Sequence, residues 1–600
     1  MTAKLTIYGG VDEIGGNKIL LQTENGSVLL DFGRRMGAYS KYFSEFIQAR
    51  SKNALRDLIK LGILPKLDGI YAPSLLDMTL LFENASVKEK VPLQQALDYW
   101  KTTDVSPFNP EDPAVDGVFI SHAHFDHIQD LSFLDPCIPV YCTEKTRVLA
   151  KSMTDVSVSG IDDQYYKLSK QVTIKQKEQN YKTLCPGECS CSDQKEEELP
   201  IIEDSKTKFK FTYEIAPRYR RFNTATEGQI RGIKYSLIPV GHSVPGACSV
   251  LLTLPDGKRI LYTGDLRFHG TGEVSIDDYI QAIGDPVDVL IIEGTRIKSD
   301  DVLTEDEVAG EIKNDVKQAQ GLVLINFGWK DLTRFNTIYC AVKENKRVFV
   351  ISPKLAYLLY EMHCNFPDEF ADPRTMPNLK VYLKREGDLL YSKVDYDKYK
   401  MGYLHYHGRN SAQDDRNIVR VAERLDKGGK PDNPKNPLPP TSEQEPYDYQ
   451  EIYSLAMHHL DNGVRAYQIR SNPLNYVLMF SYWDANELFD LFPINNDSTK
   501  TRYISASTEP FNEEMEIDET KMINWLDFFG IEYDFELKND QKFFTRRHVS
   551  GHACKLELEE IIQKMKPKTI IPIHTENAHL FKEIFEGKII LPQYAKSIEI

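Results

Sequence analysis

The first thirty residues alternate short apolar runs with glycine-containing turns. The segments KLTIYGG, NKILLQT and SVLLDFG are each rich in aliphatic residues, and the polar sequence NGS separates the last two. Apolar runs of this length, bounded by turn residues, are typical of strands buried in a sheet. The pattern predicts a sheet that begins with antiparallel strands.

The pattern changes twice further along the chain. Residues 40–100 show apolar positions at helical spacing, as in ALRDLIKLGI, and residues 155–210 are polar and irregular, so both stretches read as insertions at about 34–105 and 155–210. From residue 320 the strand GLVLINF, the helix LTRFNTIYCAVKENK and the strand RVFVIS follow one another. This alternation predicts a parallel α/β sheet. The last stretch, from HVSGH to KTIIPIH, again resembles the N-terminal pattern of short apolar strands.

Composition narrows the class of protein. The net charge is −16, which argues against a generally basic nucleic-acid coat but leaves room for a local basic cleft. No apolar run reaches the roughly 20 residues of a membrane span, and the N-terminus lacks a signal-peptide layout. We therefore expect a cytoplasmic protein without a membrane partner.

Three cysteines stand close together in CPGECSC, at Cys185, Cys189 and Cys191. Three thiols without an evident fourth ligand are a weak signal for structural zinc, and the charged residues that follow favour an exposed loop. Both interpretations stay open.

The most informative segment is SHAHFDH, which follows the apolar strand GVFI and contains His122, His124, Asp126 and His127. In an extended segment His122 and His124 point to the same side, which suits two ligands of one ion, while the next two residues can reach a second ion. Further polar residues directly follow apolar strands, namely His242, Asp265, Glu293 and His574. A lone histidine after a strand is more often a surface residue. Burying all four candidate ligands of SHAHFDH without a metal, however, would cost too much free energy.

The chemistry of this set indicates a catalytic site with zinc or manganese, because it combines imidazole and carboxylate ligands without a thiolate. Two ions about 3.5–4 Å apart can share a water, lower its pKa towards about 7 and neutralise a phosphoryl oxygen. Candidate substrate contacts are Arg218 and Arg220 in RYRRFN, Arg546, and Trp329. Arginines interleaved with aromatic rings suit a single strand, although an edge strand with solvated basic side chains explains RYRRFN equally well.

These motifs resemble the metallo-β-lactamase superfamily, in which HAHFDH matches the HxHxDH signature. Asp31 in LLDFG, His242 in GHSVPGA and Asp265 in YTGD match further motifs in the right order. YGGVDEIGGNKILL, HVSGHA and PIHTE are similar to the opening and the late motifs of β-CASP nucleases, in particular of ribonuclease J-like proteins.

The resemblance implies the roles of the site residues. One Zn2+ would be held by His122, His124 and His242, and a second by Asp126, His127 and His574. Asp265 would bridge both ions, and Asp31 would support the site from behind; manganese is the alternative to zinc. Glu293 and His552 match a pair in which the histidine faces the scissile phosphate, so the implied catalytic residues are Asp126, Asp265, Glu293 and His552.

The resemblance also implies the substrate and the fold. Ser550 and His552 match positions that contact a substrate phosphate, and RNA-cleaving members resemble this chain in having a histidine at the position of His574. The implied fold is an α/β fold, a metallo-β-lactamase αββα sandwich of residues 1–300 and 506–600 with an α/β β-CASP domain inserted at 301–505. The family's additional C-terminal domain does not match here, so we expect a monomer or a homodimer.

The function expected from these observations is a two-metal ribonuclease that cleaves single-stranded RNA by exo- or endonuclease action. A small-molecule metallo-hydrolase on the same scaffold, such as a lactonase or a phosphodiesterase, is the first alternative. A binding protein that has lost its activity is the second, and the complete set of ligands argues against it.

Overall fold

The computed structural model describes most of the two ends of the chain and the beginning of its middle part. The described residues are 3–44, 46–50, 53–76, 103–157, 160–176, 202–203, 210–270, 274–300, 303–385, 455, 458–459, 461–493, 498, 500–510, 513–538 and 541–600. Cys185, Cys189, Cys191 and the proline-rich stretch 426–450 lie outside them. Within the part of the chain that the structure describes, no helix combines the length and apolar character that a membrane span requires.

The chain forms two compact units. The first contains residues 1–154, 159–302 and 551–600, and the second contains residues 155–158 and 303–550. The first junction lies close to the expected boundary after residue 300, but the second lies at 550 rather than 505. Residues 506–550 belong to the second unit because their helix Glu513–Phe529 buries Met522, Ile523 and Leu526 in the core of that unit.

The first unit is built on two sheets, each of seven strands among the described residues. In spatial order the strands of the first sheet are Ser597–Glu599, Lys4–Gly9, Lys18–Gln22, Ser27–Phe32, Gly117–Phe119, Val140–Tyr141 and Phe222–Asn223. Those of the second are Glu227–Ile230, Ile233–Pro239, Cys248–Thr253, Arg259–Tyr262, Val289–Glu293, Thr569–Ile573 and Lys588–Ile589. The predicted antiparallel start is observed, since Lys4–Gly9, Lys18–Gln22 and Ser27–Phe32 pair in this way.

A shared apolar core holds the two sheets together. Ile7, Leu30 and Phe119 of the first sheet pack in one buried cluster with Val250 and Ile291 of the second. The opposite face of the second sheet is covered by the helices Ile276–Ile283, Lys555–Met565 and Phe581–Ile584. Further helices of this unit are Met36–Ser40, Ala54–Lys60, Pro73–Leu76, Phe125–Ile128 and Glu144–Asp155, the last of which ends at the junction with the second unit. The architecture is the predicted metallo-β-lactamase fold.

The region expected to be irregular at 155–210 contains regular structure. The ten-residue strands Lys167–Gln176 and Lys210–Tyr219 pair antiparallel, and the short strand Ile202–Glu203 adds to the second of them. The prediction of an irregular stretch was wrong for these residues, because antiparallel strands pair through backbone groups that every non-proline residue carries.

The second unit has the predicted parallel α/β sheet. In spatial order its described strands are Leu379–Val381, Val348–Ile351, Tyr476–Met479, Val323–Asn326, Arg502–Ser505 and Glu532–Tyr533, all parallel. The helices between them are Glu305–Gln318, Leu332–Glu344, Pro353–Asn365, Ala466–Ser471, Leu488–Leu491 and Glu513–Phe529. Their starts follow from the sequence, since Thr304, Asp331 and Ser352 each cap a helix N-terminus with a side-chain oxygen. A hairpin of Phe535–Lys538 and Gln541–Phe544 follows the last strand.

Candidate metal centre

The histidine-rich motif lies where the strand Gly117–Phe119 ends and the short helix Phe125–Ile128 begins. His124 is the N-cap of this helix and has an extended backbone, with φ −77° and ψ 151°. The extended conformation brings His122 and His124 to the same side, with 3.0 Å between Nε2 of the first and Nδ1 of the second. The helix that follows brings Asp126 and His127 close to His574. The local backbone thus provides two groups of ligands from one segment.

The first ligand group consists of His122, His124, His242 and Asp265, whose candidate ligand atoms all lie within 4.8 Å of one another. Nδ1 of His124 lies 3.0 Å from Nε2 of His122 and 3.0 Å from Nε2 of His242. One ring nitrogen carries either a proton or a lone pair, so it cannot satisfy both neighbours by hydrogen bonding. The spacing is close to about 3.3 Å, the nitrogen–nitrogen edge of a tetrahedral site with bonds of about 2.0–2.1 Å.

The second ligand group consists of Asp126, His127 and His574. Oδ2 of Asp126 lies 3.6 Å from Nε2 of His127 and 3.3 Å from Nε2 of His574. Asp265 stands between the groups, because its Oδ2 is 3.5 Å from Nε2 of His122 and 3.3 Å from Nε2 of His127. Among the described residues, the buried atoms Nε2 of His127 and Oδ1 of Asp265 have no hydrogen-bond partner. A bound cation would account for these two buried atoms, because each could bind it through a lone pair.

Hydrogen bonds at Nδ1 set the tautomers of four histidines. His127 donates to Oδ2 of Asp31 at 2.7 Å, and His242 donates to the carbonyl of Gly551 at 2.6 Å. His122 faces the hydroxyl of Ser121 at 3.1 Å, and that hydroxyl donates to Asp31, so it accepts from the ring. His574 likewise faces the hydroxyl of Thr295 at 2.8 Å, which donates to the carbonyl of His574.

With Nδ1 protonated, each of these four rings presents the lone pair of Nε2 to the cluster, as a metal ligand must. The pKa values agree with neutral rings in the first group. Burial, followed by the imidazoles of His127 and His242, holds the pKa of His122 well below its usual range. Burial also lowers the pKa of His242 to about 4. The donor set of both groups, and the neutral rings of His122 and His242 in the first, therefore fit divalent cations.

Asp31 organises the floor of the site. It adopts a left-handed backbone with φ +55°, and its buried carboxylate accepts hydrogen bonds from the backbone and side chain of Ser121, both at 2.7 Å. The same carboxylate accepts from His127 and from the hydroxyl of Tyr262. Asp31 thus lies behind the candidate ligands, in contact with Ser121, His127 and Tyr262.

A hydrogen-bonded pair of side chains, Glu293 and His552, lies beside the candidate ligands. Nδ1 of His552 is 3.0 Å from Oε2 of Glu293 and 3.8 Å from Oδ2 of Asp265. Glu293 is buried at the end of the strand Val289–Glu293 and also accepts from the backbone of Leu266 at 2.8 Å. Burial by itself lowers the pKa of His552, but the carboxylates of Glu293 and Asp265 outweigh it and raise the pKa to about 9.

The structure therefore brings together the residues expected to form the centre. They are Asp31, His122, His124, Asp126, His127, His242, Asp265, Glu293, His552 and His574, all in the first unit. Ser121, Tyr262 and Thr295 also support the site but were missed. Their positions directly beside ligand motifs, in FISHAH, YTGD and IIEGT, were the available signal.

The expected substrate contacts fare differently. Arg220 is 2% exposed, and its guanidinium donates to the carbonyls of Asp135 and Leu134 at 3.1 and 3.0 Å. Burial lowers the pKa of this guanidinium to about 10. Its assignment as a substrate contact was wrong, because the side chain turns inward and ties a loop of the first unit to the end of a strand.

The remaining candidates lie elsewhere. The guanidinium of Arg546, in the second unit, donates to the carboxylate of Glu519 and to the hydroxyl of Ser505, the latter at 3.1 Å. Trp329 and Ser550 are half-buried residues of the same unit. The side chain of Arg218 lies outside the described residues.

Two family profiles match the chain in the segments that build the centre. A profile described as a β-lactamase superfamily domain matches residues 94–186, which contain the motif from His122 to His127. This segment of the chain is thus similar to the metallo-β-lactamase superfamily. A profile described as a Zn-dependent metallo-hydrolase RNA specificity domain matches residues 543–586, which contain His552 and His574. Together with the clustered donors, this match indicates that the fold carries a metal centre here.

Individual proteins are also similar to this metallo-β-lactamase-fold chain. The "Probable RNase MJ4" of Methanocaldococcus jannaschii is 29% identical over 184 residues, which make up 30% of this chain and 34% of that protein. The match thus spans about a third of the relative's length. The crystal structure of a protein of unknown function from Enterococcus faecalis V583 covers 100% of both chains with a TM-score of 0.57 at 18% identity, which supports the fold. The profiles and the relative confirm the expected resemblance to β-CASP, ribonuclease J-like proteins.

Proposed function

We propose that this protein is a two-metal ribonuclease that hydrolyses phosphodiester bonds of single-stranded RNA, by exo- or endonucleolytic cleavage. The observation that carries the proposal is the convergence of two ligand groups with the pair of Glu293 and His552. The match of residues 543–586 to an RNA specificity domain supports RNA as the substrate, because it covers the histidine of this pair.

The two groups suit two Zn2+ ions, with Mn2+ as the alternative. His122, His124 and His242 would hold one ion, and Asp126, His127 and His574 would hold the other, with Asp265 between them. Divalent ions bound there would supply Lewis acidity and a water nucleophile of lowered pKa, about 7. The carboxylates of Asp126 and Asp265 lie beside the position of this water and would accept its proton.

The remaining residues act on the leaving group. In the proposed hydrolysis the water oxygen bonds to phosphorus, the bond from phosphorus to the 3′ oxygen breaks, and the products carry a 5′ phosphate and a 3′ hydroxyl. The 3′ oxygen needs a proton as it leaves. Nδ1 of His552 donates its hydrogen bond to the carboxylate of Glu293. The proton for the leaving oxygen would therefore come from Nε2 of the same ring.

Substrate contacts beyond the centre stay proposals for Ser550, Trp329 and Arg218. Arginines and half-exposed aromatic rings are the groups that hold phosphates and stack bases of a single strand. We also propose a cytoplasmic location, and a monomer or homodimer that sedimentation would distinguish.

The test is cleavage of a 5′-labelled single-stranded RNA carrying either a 5′ monophosphate or a 5′ hydroxyl, in zinc or manganese, beside a matched DNA. We expect RNA cleavage that is lost in His122→Ala and strongly reduced in His552→Ala. Mononucleotide release that needs the monophosphate would indicate an exonuclease, and internal fragments from both RNAs an endonuclease. Hydrolysis of small esters by the metal-loaded protein without cleavage of RNA would instead favour the small-molecule hydrolase.

A further inference from the structure

Asn17 is a fully buried residue directly behind the second ligand group. It lies at the start of the strand Lys18–Gln22, at the end of the glycine-containing loop that follows the first strand. Asn17 is not part of either ligand group, and its side-chain amide donates to the hydroxyl of Tyr262. Its contacts lead, by three separate routes, to each of the three ligands of this group.

The first route is the backbone. The amide N–H of Asn17 donates to the carbonyl of Asp126 at 3.1 Å, and the carbonyl of Asn17 accepts from Gly33 at 3.1 Å. Gly15, two residues earlier, packs so closely against Asp126 that a β-carbon there would overlap with the carboxylate. The loop therefore determines the position of Asp126 along the turn that follows His124.

The second route is a relay of hydrogen bonds to His127. Nδ2 of Asn17 donates to the hydroxyl of Tyr262 at 2.9 Å, and that hydroxyl donates to Oδ2 of Asp31. The same Oδ2 accepts from Nδ1 of His127 at 2.7 Å. Because the single proton of Tyr262 goes to Asp31, the tyrosine oxygen needs a donor on its other side, and only the amide nitrogen of Asn17 provides it in this relay.

The third route passes through Gly10 to His574. Oδ1 of Asn17 occupies the place that a β-carbon of Gly10 would take, and Gly10 has φ +81°. The carbonyl of Gly10 accepts from the backbone N–H of His574 at 2.7 Å. His574 itself has a left-handed backbone with φ +53°, a conformation that costs about 1–3 kcal/mol and persists only where neighbours hold it.

We propose that Asn17 is a positioning residue for the second metal site, and that it acts on Asp126, His127 and His574 together. The relay reaches the first group only indirectly, because Ser121, which faces His122, also donates to Asp31, whereas His242 is held by the carbonyl of Gly551. Loss of the Asn17 amide therefore weakens binding of the second ion more than binding of the first. This inference rests on the two-metal centre proposed above.

The test is the isosteric substitution Asn17→Asp, which keeps the shape but replaces the donor to Tyr262 with a carboxylate. Removing a partner that orients metal ligands typically costs about 10- to 100-fold in metal affinity. We expect zinc titration against a chelating indicator, together with elemental analysis, to show two ions in the wild type. Asn17→Asp should bind the second ion about 10- to 100-fold more weakly, and the first ion with a clearly smaller loss of affinity.

Thr6→Ala is the matched control, because it removes a partly buried hydrogen bond of 2.9 Å to Ser597 in the same sheet without touching the centre. It should bind both ions as the wild type does. If Asn17→Asp does not fold, Tyr262→Phe interrupts the same relay and should weaken the same ion.

The outcomes separate the two proposals. Two ions of unchanged affinity in both Asn17→Asp and Tyr262→Phe would overturn the role of Asn17 while leaving the two-metal centre intact. Equal weakening of both ions would also overturn it, because it would mean a general loss of structure. Fewer than two ions in the wild type would overturn the two-metal centre and, with it, this inference.

Discussion

The pair of Glu293 and His552 allows a sharp test of the proposed chemistry. Nδ1 of His552 lies 3.0 Å from a carboxylate that is fully buried, which is the geometry of a charge-assisted hydrogen bond. If His552 protonates the leaving oxygen, His552→Ala should lower the cleavage rate by about 10²- to 10⁴-fold, the usual contribution of a general acid.

Glu293→Gln should act through His552. A hydrogen bond that involves a charged group contributes about 1.5–3 kcal/mol. Since about 1.36 kcal/mol corresponds to a factor of ten, the loss of this partner should slow cleavage about 10- to 150-fold. In the His552→Ala background the same change should have almost no further effect, within about 0.5 kcal/mol or about twofold.

The assay is single-turnover cleavage of a labelled RNA by the four proteins of this double-mutant cycle, each with its metal content measured. Equal metal content is the control, because Glu293, His552, His574 and Asp265 lie close enough together to hold an ion themselves. Rate losses that multiply in the double variant would refute the idea that Glu293 works through His552. Loss of an ion in His552→Ala would show that the histidine is a ligand.

Three further predictions concern stability and metal. Burial and the neighbouring charges of His458 and Arg374 lower the pKa of His459 to about 3. The unfolded residue has a pKa of about 6.5, so the unfolded state binds more protons than the folded state as the pH falls. The free energy of unfolding should therefore drop by about 2 kcal/mol from pH 7 to pH 5. Urea unfolding of His459→Gln should lack this part of the pH dependence, and identical slopes would contradict the assignment. Arg334 makes two hydrogen bonds of 2.9 Å with buried Glu305, so Arg334→Met should destabilise the second unit by about 3–5 kcal/mol, measured by thermal unfolding, unlike the exposed control Lys313→Met. Removal of metal with a chelator should lower the melting temperature of the first unit and leave that of the second unchanged, and a shift of both transitions would contradict a metal centre confined to the first unit.

The candidate metal ligands are recognisable in the sequence because their chemistry and their position reinforce each other. Imidazoles and carboxylates that directly follow apolar strands are conspicuous, and strand ends of a layered fold meet at one edge. The alternation of strands and helices likewise sufficed for the parallel sheet of the second unit. Both signals are local, so a single sequence contains them in full.

Features that depend on distant contacts were not predictable in this way. Arg220 in RYRRFN was expected to contact substrate, but it is buried, and two carbonyls of a remote loop accept from it. The second unit was expected to end at 505, but the helix Glu513–Phe529 belongs to its core. In both cases the deciding partner lies far away in sequence, and neither residue type nor spacing indicates it.

The same distinction separates the ligands from the residues that position them. His574 follows the strand Thr569–Ile573, which pairs parallel with Val289–Glu293 so that Glu293 lies opposite Ile573. The centre is therefore complete only when the last segment of the chain adds this strand beside one that precedes the second unit. His574 is then held by the carbonyl of Gly10 and the hydroxyl of Thr295, which come from two other parts of the chain. Short motifs thus indicate which residues are candidate ligands, whereas the geometry of those ligands depends on strand pairing across the first unit. Asn17 is important in the proposed centre because it contacts several of these parts of the chain.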